Sequence, residues 1–193
     1  MRQDDEHLLE ERLDEVLALV RERFGADADK VATFAKSYFA DVLTEDIVGQ
    51  SVENLYGAVA SMWQGLKQRK QAGPKIRVYN PDLEQNGWQS THTAIEIIND
   101  DMPFLVDSVV SALNTMNLPV LMLIHPIVHV TRDDKGAVTM LAGRGGETDE
   151  TASESVLHIE VTQQPPGARH EEIEARLAKV LASVRASVKT GPR

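Results

Sequence analysis

The hydrophobic pattern changes period once along the chain, near residue 75, and that single change limits the folds open to it. Before it, Leu9, Leu13, Val16, Leu17, Val20 and Phe24 recur at helical spacing, and Gly25 is placed to stop the helix. Val31, Phe34, Ala35, Tyr38 and Phe39 stripe a second helix over 29–43. Thr44 reads as the N-cap of a short helical turn. Ser51 reads as the cap of a third helix over 52–70 that carries Leu55, Val59, Met62, Trp63 and Leu66. These stripes pack most simply on one another.

From residue 75 the pattern is that of strands. KIRVYNP is a short strand and PDLEQNGW a turn-rich connector. In THTAIEII the side chains alternate: Thr91, Thr93, Ile95 and Ile97 face one way, His92, Ala94, Glu96 and Ile98 the other. A helix over 103–117 follows, with Leu105, Val109, Ala112, Leu113 and Met116 inward, Asn117 at its end and Pro119 just beyond. PVLMLIHPIVHVTR is a long strand that must bend at Pro126, since proline has no N–H for the ladder. DDKG makes a hairpin turn into AVTML, 143–155 is a polar loop, SVLHIEVT is a strand, and 170–189 is an amphipathic helix. The order from residue 91 is β-α-β-β-β-α, which with right-handed crossovers gives a ferredoxin-like sheet with helices on one face. The fold class is α+β: a helical segment over 1–73, then a sheet domain over 74–193. A complete ferredoxin-like sheet wants one more strand: either this stretch belongs to a longer protein or KIRVYN fills the empty edge, and both are expected.

Composition removes several function classes. A net charge of −10 opposes a nucleic-acid footprint, which needs a basic face. The absence of cysteine excludes a disulfide framework, a thiolate metal site and a cysteine nucleophile. The start, MRQDDEHLLEERL, is neither a signal peptide nor a membrane span, so the expected setting is the cytoplasm, with no membrane partner.

The residues that invite a chemical reading lie at one turn. Asp100 and Asp101 end a strand, and Met102, Pro103 and Phe104 lead into a helix. The plain reading makes Asp101 the N-cap, with Pro103 near the first helical position and both acids facing the positive end of the dipole. The sharper reading makes Asp100, Asp101, Met102, Pro103 and Phe104 an effector site, in which free amides hold a small anion and the acids hold an amino group. An amino acid carries both. His125 and His129 have the spacing of a zinc pair on a helix, but on a strand they stand ~13 Å apart, too far to share an ion. His158 reads as a packed strand residue, and GRGGE at 143–147 lacks the strand–loop–helix context of a nucleotide loop. Ser108 and Ser111 have no nucleophile elbow around them. No catalytic, cofactor or metal residues are expected in this chain.

A strand followed by DDMPFLVDSV and a helix resembles the ACT domain, a ferredoxin-like module that often senses amino acids. PKIRVYNPD, GWQSTHTAIEIINDDMPFLVDSV, HPIVHVTRD and HIEV, with the helical SVENLYGAVASMWQ before them, resemble the N-terminal region of the large bacterial NAD-specific glutamate dehydrogenases. That resemblance implies a very long polypeptide that oxidatively deaminates glutamate to 2-oxoglutarate and ammonia with NAD. Its catalytic residues and nucleotide loop would lie outside these positions. The implied partners are downstream domains of the same polypeptide, further copies in a homo-oligomer, and an amino-acid effector. One departure matters: amino-acid-sensing ACT modules usually carry glycine after the proline of this turn, where this chain has Phe104. That favours domain packing over effector binding. A free-standing interaction adaptor is the competing reading, separated by the length of the natural reading frame.

Overall fold

In the computed structural model, which describes residues 2–70 and 73–190, the chain forms three layers: helices, sheet, helices. Gln71 and Ala72, beside the expected boundary at 73/74, and residues 191–193 at the end of SVKTGPR lie outside the described residues. The elements are α1 (Arg2–Arg23), a 3-10 turn (Gly25–Asp27), α2 (Ala28–Phe39), α3 (Thr44–Val48) and α4 (Val52–Leu66). Then come β1 (Lys75–Tyr79), α5 (Leu83–Asn86), β2 (His92–Asp100), α6 (Leu105–Thr115), β3 (Met122–Ile124), β4 (Ile127–Arg132), β5 (Val138–Ala142), β6 (Ala152–Thr162) and α7 (Ala168–Thr190).

The sheet is antiparallel, in the order β1-β2-β6-β4-β5, with β3 also on β6. KIRVY does fill the edge, pairing Lys75 with Ile98 through Tyr79 with Ala94. The long apolar strand breaks at Pro126, as a residue without a ladder donor requires, into β3 and β4 along the same neighbour. Alternation on β2 and β6 supplies both faces at once. Ile95, Ile97, Leu157, Ile159 and Val161 join Leu105, Val109 and Leu113 of α6 and Ile173, Leu177 and Leu181 of α7. On the other face Ile98, Val128, Val130 and Val156 join Val16, Val20, Phe34, Met62 and Trp63 of the helical segment. The N-terminal helices therefore pack on one another and also roof the sheet. Each fully buried side chain of this kind contributes about 1.5–3 kcal/mol, so the roof is an integral layer.

Local signals explain some helix ends. Ser51 accepts from the Asn54 amide at 3.2 Å. Asn117, at φ 58, ends α6 in a Schellman turn: Leu118 N–H donates to Leu113 O at 2.8 Å and Asn117 N–H to Asn114 O at 3.0 Å. Several expected boundaries move. Thr44 is not a cap, because extended Leu43 holds that position without a side-chain bond. The second helix stops at Phe39 rather than residue 43. The third stops at Leu66 rather than residue 70, because Gln68 bridges Ala137 and Arg69 N–H donates to Gly136 O at 3.0 Å. That contact is close: a Cβ on Gly136 would lie 2.1 Å from Arg69 O. Finally, β6 begins at Ala152, inside the stretch expected to be loop, since Ala152–Ser155 pair with β4. Among the described residues no helix is long and apolar enough to cross a membrane.

Candidate functional site

The turn between β2 and α6 lies at the end of the sheet where β2, β6 and β4 run together, and three arginines from distant stretches converge there. Asp100 Oδ1 accepts from Arg69 Nη1 at 2.9 Å and Oδ2 from Arg185 Nη2 at 3.3 Å. Arg185 also donates to buried Asn99 at 3.0 Å. Arg69 Nη1 lies 3.1 Å from Glu154 Oε1, and Arg132 grips Glu154 with two donors, at 2.9 and 2.7 Å. Arg132 further donates to Gly136 O and Leu66 O, and Arg69 to Gly73 O. Arg69, Arg132 and Glu154 are all buried to within a tenth of full exposure, so their charges are compensated by one another. A fork geometry with delocalised charge suits arginine to such pairs. Together these contacts tie the exit of α4, the ends of β2, β4 and β6, and the last turns of α7.

Asp101 is not the helix cap. Its amide donates to Ser153 O at 2.9 Å, and its Oδ1 accepts from Ser155 Oγ at 2.7 Å. The start of α6 moves on to Leu105, and the cap position falls on Phe104, which offers no side-chain acceptor. A buried hydroxyl on the neighbouring strand competes for the carboxylate, and an O–H···O⁻ bond is among the stronger kinds. Met102 packs against the core under α6, whereas Pro103 and Phe104 are exposed. Phe104 is 73% exposed and holds φ 65, ψ 7, the left-handed conformation that glycine adopts freely. The glycine position of the related turn keeps a glycine backbone here with an aromatic side chain on it.

His125 Nε2 lies 3.1 Å from Ser155 Oγ. The one serine proton goes to Asp101, so the imidazole must donate, which places a proton on Nε2. Burial, partly opposed by the Asp101 charge, lowers the His125 pKa and keeps the ring neutral. This Asp–Ser–His order is the reverse of a nucleophilic relay, where histidine accepts from serine. Ser155 is also fully buried. Two other strand histidines have partners too: His129 meets Ser153 and Glu147, and His158 meets Glu160. Among the described residues no group of three potential ligands could hold a metal ion.

A second polar cluster lies beneath the helical roof. Glu96, 4% exposed, accepts from Tyr79 and, at 3.4 Å, from Ser61 of α4, with Arg77 at 3.7 Å. Glu160 is held between His158 at 3.2 Å and His92 at 3.0 Å. Burial would raise the Glu160 pKa, but the two histidines together outweigh it and leave the carboxyl below its usual value. Burial and Glu96 raise the Tyr79 pKa, so the phenol is a donor at every ordinary pH.

The sequence placed Asp100, Asp101, Met102, Pro103 and Phe104 together correctly as a turn, but gave no hint of Arg69, Arg132, Arg185, Glu154 or Ser155. One signal was present. Acids at inward positions of alternating strands, such as Glu96 in THTAIEII and Glu154 in ASESVLHIEV, require buried partners. Beside the cluster opens a cavity of about 650 Å³ lined by Arg69, Arg132, Arg185, Asp100, Asp101 and Glu154.

Residues 34–177 match the family described as the glutamate dehydrogenase ACT1 domain. The chain is 41% identical over 184 residues to an NAD-specific glutamate dehydrogenase of Halomonas elongata, a match covering 93% of this chain and 11% of that protein. It is 32% identical over 159 residues to an NAD-specific glutamate dehydrogenase of Pseudomonas aeruginosa, covering 82% of this chain and 10% of that protein. The chain thus spans about a tenth of the length of these relatives. No solved structure matches it.

Proposed function

Because the chain belongs to the glutamate dehydrogenase ACT1 domain family, we propose that it is a non-catalytic assembly and regulatory segment of a much longer NAD-specific glutamate dehydrogenase. In that enzyme the oxidation of glutamate with NAD takes place on other parts of the polypeptide. The observation that carries this reading is how the turn's acids are used. Asp100 joins Arg69 to Arg185, and Asp101 holds the buried Ser155 hydroxyl. Asp100 ties the helical layers together, Asp101 is held on the sheet, and among the described residues no nucleophile with an accepting base stands beside them. Whatever the segment contributes, it contributes as a rigid body whose outer surface meets other domains.

A second reading, amino-acid sensing, is favoured by the adjoining cavity, whose lining carries both signs of charge, as a zwitterion requires. Asp100 and Glu154, however, are already bound by arginines and Asp101 by Ser155, so a ligand there would have to compete with bonds inside the protein.

The test is steady-state kinetics of the full-length enzyme carrying Asp100→Asn or Ser155→Ala, with titration of the parent against the amino acids by calorimetry. A non-catalytic role predicts kcat within about twofold of the parent. Loss of an acid–base group would instead cost about 10²–10⁴-fold with assembly intact, and that outcome would refute the proposal. Saturable heat from one amino acid, abolished by Asp100→Asn, would move the reading to effector sensing.

A further inference from the structure

The outer surface of α6 and α7 contains a groove of about 710 Å³ whose lining includes Phe104, Arg176, Val180, Val184, Ser187 and Val188. In that lining Phe104 has nearly three quarters of its surface in water, and Val188 is 42% exposed. Phe104 is doubly unfavourable as it stands. A large aromatic ring in water forgoes the gain of burial, and a bulky side chain in the left-handed region costs about 1–2 kcal/mol of backbone energy. Among the described residues nothing offsets either cost, because the ring belongs to neither hydrophobic core. A strained, exposed aromatic at the mouth of an apolar groove is what remains when its partner is elsewhere.

We infer that the Phe104 groove is the seat of a segment of the same polypeptide that lies beyond residue 193, packed in cis. The inference rests on the assembly reading above and makes its surface and partner specific. Two observations choose this occupant over a second copy. About nine tenths of the relatives' length lies outside the matched stretch, so a polypeptide of this kind has ample sequence to supply the cover. The last turn of α7, with Ser187 and Val188, forms a wall of the groove, so chain continuing past this helix departs from the groove's own end and reaches it at little loop-closure cost. The chemistry of the cover follows from the lining. Phe104, Val180, Val184 and Val188 call for apolar anchors. Ser108, Ser183 and Ser187 leave room for close approach, and Arg176 and Lys179 call for acidic residues beside those anchors. An amphipathic helix with an acidic shoulder meets all three conditions.

The test places a photoreactive aromatic in the groove of the full-length enzyme. The variant Phe104→p-benzoylphenylalanine keeps an aromatic where one already stands exposed. A parallel Ser187→p-benzoylphenylalanine variant covers the case in which the first assembles poorly. Each is prepared from a mixture of light- and heavy-isotope subunits, irradiated and digested. The expected product joins the groove residue to a peptide beyond residue 193, with both halves of one isotope, and that peptide carries apolar residues flanked by acids. Cross-links joining light to heavy chains would put a second copy in the groove and overturn the inference. No cross-link from either position would overturn it as well. Neither result bears on whether the segment is catalytic, which the kinetics of Asp100→Asn decide separately.

Discussion

The Ser155 hydroxyl, buried on β6, donates to Asp101 Oδ1 across 2.7 Å, and this bond places the carboxylate on the sheet instead of on the helix that follows. Asp101→Ala should leave the buried hydroxyl only His125 Nε2 as acceptor, and that after a tautomer change, and cost about 1–2 kcal/mol in chemical denaturation, with Asp101→Asn recovering part of it. A helix cap would give similar single-variant values. The distinguishing measurement is the double variant with Ser155→Ala. Its cost should be well below the sum of the two singles, whereas a cap acting independently of Ser155 would give additive losses.

Glu154 compensates Arg69 and Arg132 in a buried site. Glu154→Gln leaves two guanidinium groups facing a neutral amide, and the loss should be about 3–5 kcal/mol. Because these charges are shielded from solvent, raising the salt to 1 M should change the loss little. A loss that disappears in salt would mean the pair is open to water.

Phe104→Gly should be neutral or should stabilise the fold by about 1 kcal/mol. The backbone already has φ 65, which glycine adopts without strain, and the exposed ring contributes no burial. The glycine in the unfolded chain gains entropy, which offsets part of the benefit. A melting temperature several degrees below the parent would show that the ring is packed after all.

Gly57→Ala runs against helix propensity. Within an exposed helix the change stabilises by about 1 kcal/mol. Here an added Cβ would stand 2.1 Å from Gly87 O, where α4 crosses the turn after α5, so the variant should unfold at lower denaturant than the parent.

Acid should destabilise the protein in two stages. The folded His125 pKa lies below its ordinary 6.5 because of burial. The folded Glu160 pKa lies below its ordinary 4.5, since the bonds from His158 and His92 outweigh burial. In both cases the unfolded chain binds the extra proton, so stability present at higher pH is lost as pH falls. The loss should begin below about 6.5 through His125 and steepen below about 4.5 through Glu160. Denaturation midpoints from pH 8 to 4 test this, and His125→Asn should remove the upper stage alone.

What the sequence determined by itself was set by neighbours a few residues apart. Alternation put Ile95 and Ile97 on one face of β2 and Ile98 on the other, and proline's missing donor broke the strand at Pro126. Ser51 bounds its helix through a side-chain bond and Asn117 through backbone bonds at a left-handed residue, all spanning three to five residues. The tertiary structure alone decided the fate of the acids. Asp100 has partners 31 and 85 positions away, Asp101 one 54 away, and no local pattern encodes which distant arginine or serine arrives. A carboxylate at a helix start satisfies a backbone amide unless a better donor is brought to it, and only the pairing of β2 with β6 brings Ser155 within reach. The conformation of Phe104 was likewise beyond local reading. Its side chain argues against the left-handed region, yet the chain passes through it at the turn between β2 and α6, whose side chains are held in the core.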